Sequence, residues 1–237
     1  YFVNASGGKE AGPGAVNALY RNDGDWSFSN ITARSGTGDP GWGSGAAVAD
    51  IDNDGLLDLY VTNRGPNVLY RNTGGGRFKR VEQSGTEVPV WSTSASFADF
   101  DSDGLVDLYV ANYLRFDDSA AGRNCEYKGL SIFCGPGGME PEADVLLKNE
   151  GGGRFRDVSR AWGLHKAPAS YGLGTLVVDI GRDGRPDILV ANDTRENFCF
   201  LNNPQGGFDE AALFLGLAYN DYGVAQAGMG IASGDLA

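Results

Sequence analysis

GSGAAVADIDNDGLLDLYVTN (43–63), STSASFADFDSDGLVDLYVAN (92–112) and GLGTLVVDIGRDGRPDILVAN (172–192) align with one another without a gap. A second block follows each: NVLYRNTGGGRFKRV (67–81), DVLLKNEGGGRFRDV (144–158) and NFCFLNNPQGGFDEA (197–211). Fragments of the same unit stand at both ends, as YFVN (1–4) with NALYRNDGDWSFSNI (17–31), and as GMGIASGDLA (228–237). Self-similarity at a fixed period marks a repeat architecture. Each unit reads as four short strands, AAVAD, LDLYVTN, NVLYRN and RFKRV, with GGG at the last turn. Their apolar residues alternate with a period of two and show no helical period.

Four-stranded units of this kind predict an all-β fold, a β-propeller of about four blades with incomplete terminal blades. A parallel β-solenoid is the alternative, but its repeats are usually shorter. The expected organisation is one propeller domain or propeller segment over 1–237, with a loop inserted at 113–143. The two terminal fragments are complementary strand sets. Unpaired edges invite pairing, so the C-terminal strand is expected to add to the blade begun by residues 17–31, within one chain or between chains.

Between the first and second strands lies D-x-D-x-D-G-x-x-D. It is complete at Asp50, Asp52, Asp54, Asp58 and at Asp99, Asp101, Asp103, Asp107. Carboxylates at positions one, three and five converge if the loop turns tightly, and the carbonyls of Leu56 and Leu105 add a ligand at position seven. So many carboxylates repel without a cation, and hard oxygen donors in this number favour Ca²⁺ over Mg²⁺. The competing reading is a set of solvated Asp-Gly turns. An EF-hand is excluded, because position twelve is Val61 or Val110 and not Glu. The third loop keeps Asp179, Asp183 and Asp187 but has Gly181 in place of a carboxylate, with Arg182 and Arg185 alongside. Weaker binding is expected there. A fourth loop would begin at Asp235.

The net charge of −12 argues against nucleic acid as a partner. Much of it is local: of 22 Asp, eleven fall in the three loops, and without them the chain would be nearly neutral. One His and three Cys without a CxxC leave little for a zinc site. No apolar run approaches the roughly 18 residues of a membrane span.

The loop motif, N-x-L-Y-R-N-x-G-x-G-x-F, FCGPGG (133–138) and GVAQAGMG (223–230) resemble the FG-GAP/VCBS repeats of integrin α-subunit propellers. They are more similar still to bacterial relatives of cartilage acidic protein, often associated with an ASPIC/UnbV segment. That resemblance implies calcium in the loops between the first and second strands, and an extracellular, periplasmic or cell-surface location. It also implies a ring commonly of seven blades.

Cys125 and Cys134 flank eight residues of the insert and are expected to form a disulfide, while Cys199 is expected to be a buried thiol. Propeller geometry puts the insert and segments 5–16, 84–92 and 213–226 on the face opposite the calcium loops. Trp42, Trp91 and Tyr171 each stand eight residues before a loop Asp. They are either stacking surfaces for a ligand or blade-to-blade packing. Three functions compete. The first is a non-enzymatic binding or adhesion module for a protein or glycan. The second is a structural subunit joined through its terminal blades, and the third is a propeller polysaccharide lyase or hydrolase. His165 has no nucleophile-elbow motif near it, which counts against the enzyme.

Overall fold

A computed structural model describes residues 1–4, 16–115, 125–132 and 134–234. Asp235, the expected start of a fourth loop, and segment 5–15 lie outside the described residues, as do 116–124 and Phe133.

The chain opens with a two-stranded sheet, β1 (Tyr20–Gly24) and β2 (Ser27–Asn30), to which Phe2 is bridged through Ala18. A single helical turn, α1 (Thr32–Ser35), follows, which the strand pattern did not anticipate. The first complete blade is β3 (Trp42–Ala49), β4 (Asp58–Arg64), β5 (Val68–Asn72) and β6 (Phe78–Arg80). The second starts with β7 (Ser92–Ala98) and β8 (Asp107–Asn112). A hairpin of β9 (Cys125–Tyr127) and β10 (Leu130–Ile132) interrupts it before β11 (Val145–Asn149) and β12 (Phe155–Asp157) complete the sheet. The third is β13 (Gly172–Val178), β14 (Asp187–Asn192), β15 (Phe198–Asn202) and β16 (Phe208–Glu210). Every pairing is antiparallel, and the inner strand of each complete blade carries a bulge at its Gly43/Gly45, Ser92/Ser94 or Gly172/Gly174 position. The protein is an all-β propeller with incomplete terminal blades.

The core lies between the blades and not within any one of them. Alternate residues of β8 face opposite neighbours, as period two requires. Leu108 and Val110 pack with Tyr60 and Leu69 of the first complete blade. Tyr109 and Ala111 pack with Ile188, Val190 and Phe200 of the third. A blade alone therefore leaves one apolar face bare. That is visible at both ends of the array, where Phe2 and Phe28, and Phe214 and Tyr222, are exposed.

The seam between blades repeats a contact the sequence pattern did not reveal. Gly36, Gly85 and Gly163 all have positive φ (78°, 82° and 92°) and face the carbonyls of Phe78, Phe155 and Phe208, on the outer strand of the next blade. In two of these seams the same Phe donates its N–H back, Phe155 to Ser84 and Phe208 to Trp162, both at 2.7 Å. A side chain would open the seam.

Residues 228–231 do not join β1–β2 among the described residues, contrary to closure within one chain. Gly228 donates to the Asn192 carbonyl at 2.9 Å, and Gly230 lies against Gly174 of β13. This is the place an inner strand of a following blade takes, since Gly43 likewise donates to Asn4 at 3.1 Å. The physical reason is the stepwise packing of inner strands. Each lies beside its sequence neighbour, so the segment continues the array from the third blade.

The insert is tied down at its base by the Leu114–Pro141 and Glu142–Ser170 bridges, and Cys125 is bonded to Cys134. Cys199 is a buried thiol, its pKa pushed up to about 11 by burial.

Gly85→Ala tests the seam. Positive φ and a blocked carbonyl together should cost about 2–4 kcal/mol, read as a lower urea midpoint with unchanged m.

Candidate metal centres

Each loop is first folded by its own carboxylates. Asp50 accepts the N–H groups of Asp54 (3.0 Å) and Gly55 (2.8 Å), and Asp54 accepts that of Leu56 (2.9 Å). The second loop repeats this with Asp99 on Asp103 (3.1 Å) and Gly104 (2.8 Å), and Asp103 on Leu105 (2.9 Å). The third does so with Asp179 on Asp183 and Gly184, and Asp183 on Arg185. Backbone donors to Asp179, Gly184 first, hold its carboxyl below the usual range.

The last Asp of each loop is buried and binds backbone on two sides. Asp58 accepts Ile51 N–H (3.0 Å) and Asn72 N–H (2.7 Å). Asp107 accepts from Phe100 and Asn149, and Asp187 from Ile180 and Asn202. Burial dominates their electrostatics: it raises the pKa of Asp58, and that of Asp107 to about 6.

Two clusters of carboxylates result. One oxygen each from Asp50, Asp52 and Asp58 lies within 4.8 Å of the others, and so do oxygens of Asp99, Asp101 and Asp107. Asp52 Oδ1 is buried with no hydrogen-bond partner. A buried carboxylate oxygen without a donor, beside two further carboxylates, fits a hard divalent cation. Asp54 and Asp103 stand outside these trios. Each shares a basic side chain with its neighbour: Arg71 meets Asp52 and lies 3.5 Å from Asp54, while Lys148 meets Asp101 and lies 2.6 Å from Asp103. Leu56 and Leu105 are placed in the loops by their N–H groups. In the third loop Asp179, Asp183 and Asp187 form no such trio, because Gly181 replaces the middle carboxylate and Arg185 is paired with Asp183.

The FG-GAP-like repeat family matches residues 2–61 and again 50–110, spans that contain or border the two carboxylate trios. The chain carries FG-GAP-like repeats. No curated protein matches it. Among solved structures it is similar to a lectin of Agrocybe aegerita, described by its specific recognition of non-reducing terminal N-acetylglucosamine. The TM-score is 0.46 at 18% identity, covering 87% of this chain and 49% of the lectin chain. The chain thus spans about half the length of that structure.

At the other end of the FG-GAP-like blades the expected aromatics meet one another. Trp42 and Trp91 have ring centroids 6.4 Å apart, Trp91 and Tyr113 5.4 Å, and Tyr113 and Tyr171 5.9 Å. Arg64 lies over Trp42 and Trp91, at 5.2 and 5.9 Å. Packing between blades accounts for these contacts, yet the two Trp rings remain partly exposed. Tyr113, which links the second and third blades, escaped the sequence reading because it follows a strand whereas the other three precede one. Also missed were Asn149 and Asn202, whose amides donate to the Ile51 and Phe100 carbonyls of the preceding loop (2.9 and 2.8 Å). Their signal was the N that closes each YRN, LKN or FLN.

Ser159, Asp157 and His165 line one cavity. Ser159 Oγ donates to Asp157 at 2.6 Å and accepts Leu146 N–H at 2.9 Å, so that hydroxyl is committed to a turn.

A cation must compete with the proton on Asp107. Its carboxyl, raised to about 6, is ionised above that pH and protonated below it. Calcium affinity at the second loop should therefore fall about tenfold from pH 7 to pH 5, measured by titration calorimetry on the Asp52→Ala variant, where the first loop is disabled.

Proposed function

We propose that the chain is a secreted or cell-surface binding module, stabilised by Ca²⁺ in the first two loops and only weakly at the third. It presents a protein or glycan ligand site on the opposite end of its blades. The observation that carries this reading is the segregation of chemistry along each strand. Carboxylate trios stand where β3 meets β4 and β7 meets β8. Where the same strands have their other ends, Trp42, Arg64 and Trp91 form an aromatic–cationic surface. Aromatic rings with a guanidinium among them suit recognition, because they offer large contact area at low conformational cost. Ca²⁺ is favoured over Mg²⁺ because several protein carboxylates converge and leave little room for a hydrated ion.

The module is non-enzymatic. The clustered carboxylates have a metal or backbone role, and Ser159, which lines the same cavity as the lone His, is bound to Asp157. The disulfide in the insert supports an oxidising compartment. Among the described residues no helix is long and apolar enough to cross a membrane. Kinship with the cartilage acidic protein group rests on the motifs quoted above.

Immobilised protein in 2 mM calcium, probed with glycan and extracellular-matrix protein arrays, is the test. Trp91→Ala should lower binding at least tenfold while leaving the calcium-dependent melt in place. EDTA should lower the melting temperature, since about 2.7 kcal/mol per site follows when calcium is a hundredfold over Kd. Equal melts with and without calcium would defeat the metal reading, and binding indifferent to Trp91 would move the ligand elsewhere.

A second reading has its own observation. Phe2 and Phe28 at one end of the array, and Phe214 and Tyr222 at the other, expose apolar faces that adjacent blades would cover. A structural subunit joined to further copies through these ends would show mass rising with concentration in light scattering. A constant monomer mass between 1 and 100 μM, taken as about the working range, would exclude it.

A further inference from the structure

A cavity of about 780 Å³ opens between the second and third complete blades. It lies away from the carboxylate loops, by the first residues of β11 and β15. Its volume falls in the roughly 300–1,000 Å³ range of small-molecule sites. Leu164, Phe198 and Phe200 form its buried apolar floor, Ala167 and Pro168 a more exposed apolar side, and Asp144 lines it with Arg160 and His165 at exposed positions.

Asp144 occupies a position whose structural task needs no charge. In each complete blade the residue before the third strand accepts the N–H of the last Asn of the second. Asn67 accepts from Asn63 (2.8 Å), Asp144 from Asn112 (2.8 Å) and Asn197 from Asn192 (2.9 Å). An amide suffices twice, and only the blade at the cavity has a carboxyl. The neighbouring hydroxyl changes direction with it. Tyr60, beside Asn67, donates to the Thr86 carbonyl of the adjoining link and accepts from Asn67. Tyr109 instead donates to Asp144 Oδ2 at 2.6 Å. In the first complete blade that link also packs Val88 into the core.

We propose that this cavity binds a saccharide residue, with Asp144 accepting its hydroxyl donors and the apolar side at Ala167 and Pro168 meeting the apolar face of its ring. The inference rests on the binding-module reading and adds to it a second site, apart from the Trp42–Arg64–Trp91 surface, with its own ligand class. Each Asp144 oxygen has one protein donor, which leaves lone pairs for a ligand, and hydrogen bonds to a carboxylate are about twice as strong as neutral ones. The apolar side and the few polar groups match a ligand with one greasy face and a hydroxylated rim. Arg160 and His165, both donors, suit ring or acetal oxygens.

The experiment uses the full chain in calcium and the methyl glycosides of glucose, galactose, mannose, N-acetylglucosamine and glucuronic acid, each at millimolar concentration. Binding is read by saturation-transfer NMR and calorimetry on wild type, D144N, R160A and W91A. D144N keeps the backbone contact that Asn67 and Asn197 make, so its fold should hold, as near-UV circular dichroism will show. At least one glycoside should bind wild type, D144N should weaken it tenfold or more, and R160A several-fold. No glycoside bound to wild type overturns the proposal, as does unchanged affinity in a folded D144N. Binding lost in W91A but kept in D144N also overturns it, while the binding-module reading stands with its ligand on the aromatic surface.

Discussion

A buried carboxylate ties three elements together in every complete blade. Asp58, Asp107 and Asp187 each accept one N–H from the start of their loop and one from the Asn that ends the third strand. Loop, second strand and third strand are thereby fixed at one point. Two backbone donors do not fully compensate for taking the charge out of water, which is why burial still raises the pKa of Asp58 and Asp107. The fold thus holds a carboxylate that gains from further positive charge, and it places that carboxylate beside two more. The capacity to hold a cation and the blade geometry have a common origin in this residue.

The cations on β5 and β11 follow the same logic. Arg71 and Lys148 occupy equivalent positions and reach the middle carboxylates of the two complete loops. The equivalent residue of the third blade is Leu201, where the middle carboxylate is Gly181. Charge on the strand and charge in the loop are present together or absent together. In the third loop Arg185 pairs with Asp183 and donates to the Asn202 carbonyl, so a cation is built in locally. Two unit charges some 4 Å apart at the protein surface interact by about 4 kcal/mol before desolvation. A divalent ion bound by three carboxylates exceeds what one ammonium or guanidinium supplies, so the side chain is the weaker competitor and has solvent to swing into.

The blades were legible in the sequence because period-two alternation and the Asp-rich turn are local signals, repeated in register. Residues such as Leu108 and Tyr109 could be assigned to a strand from their neighbours alone. What was not legible depends on the step between blades. The glycines at 36, 85 and 163 stand outside the repeated motifs, and only the neighbouring Phe carbonyl explains why a side chain is excluded. Asp144 read as the first residue of a strand, and its cavity appears only once the third blade is set beside it. Closure within one chain failed for a related reason. Strand complementarity says which strands a blade lacks, but not which blade the chain reaches.

The loops form a connected row. Asn53 of the first loop donates to the Gly104 carbonyl of the second at 2.9 Å. Asn149, whose N–H binds Asp107, sends its amide to the Ile51 carbonyl, so the second acidic loop holds the backbone of the first. Asn202 repeats this from Asp187 to Phe100, joining the third loop to the second. A carboxylate drawn toward a cation in one loop therefore pulls on the Asn that orders the loop before it. Ordering of one site reduces the conformational entropy its neighbour must still lose, which is the physical content of coupling without a new contact. The degraded third loop keeps its place in this row through Asp187 and Asn202, even where its own carboxylates are too few to cluster. Its retained Asp187 serves the second loop through Asn202 as much as its own.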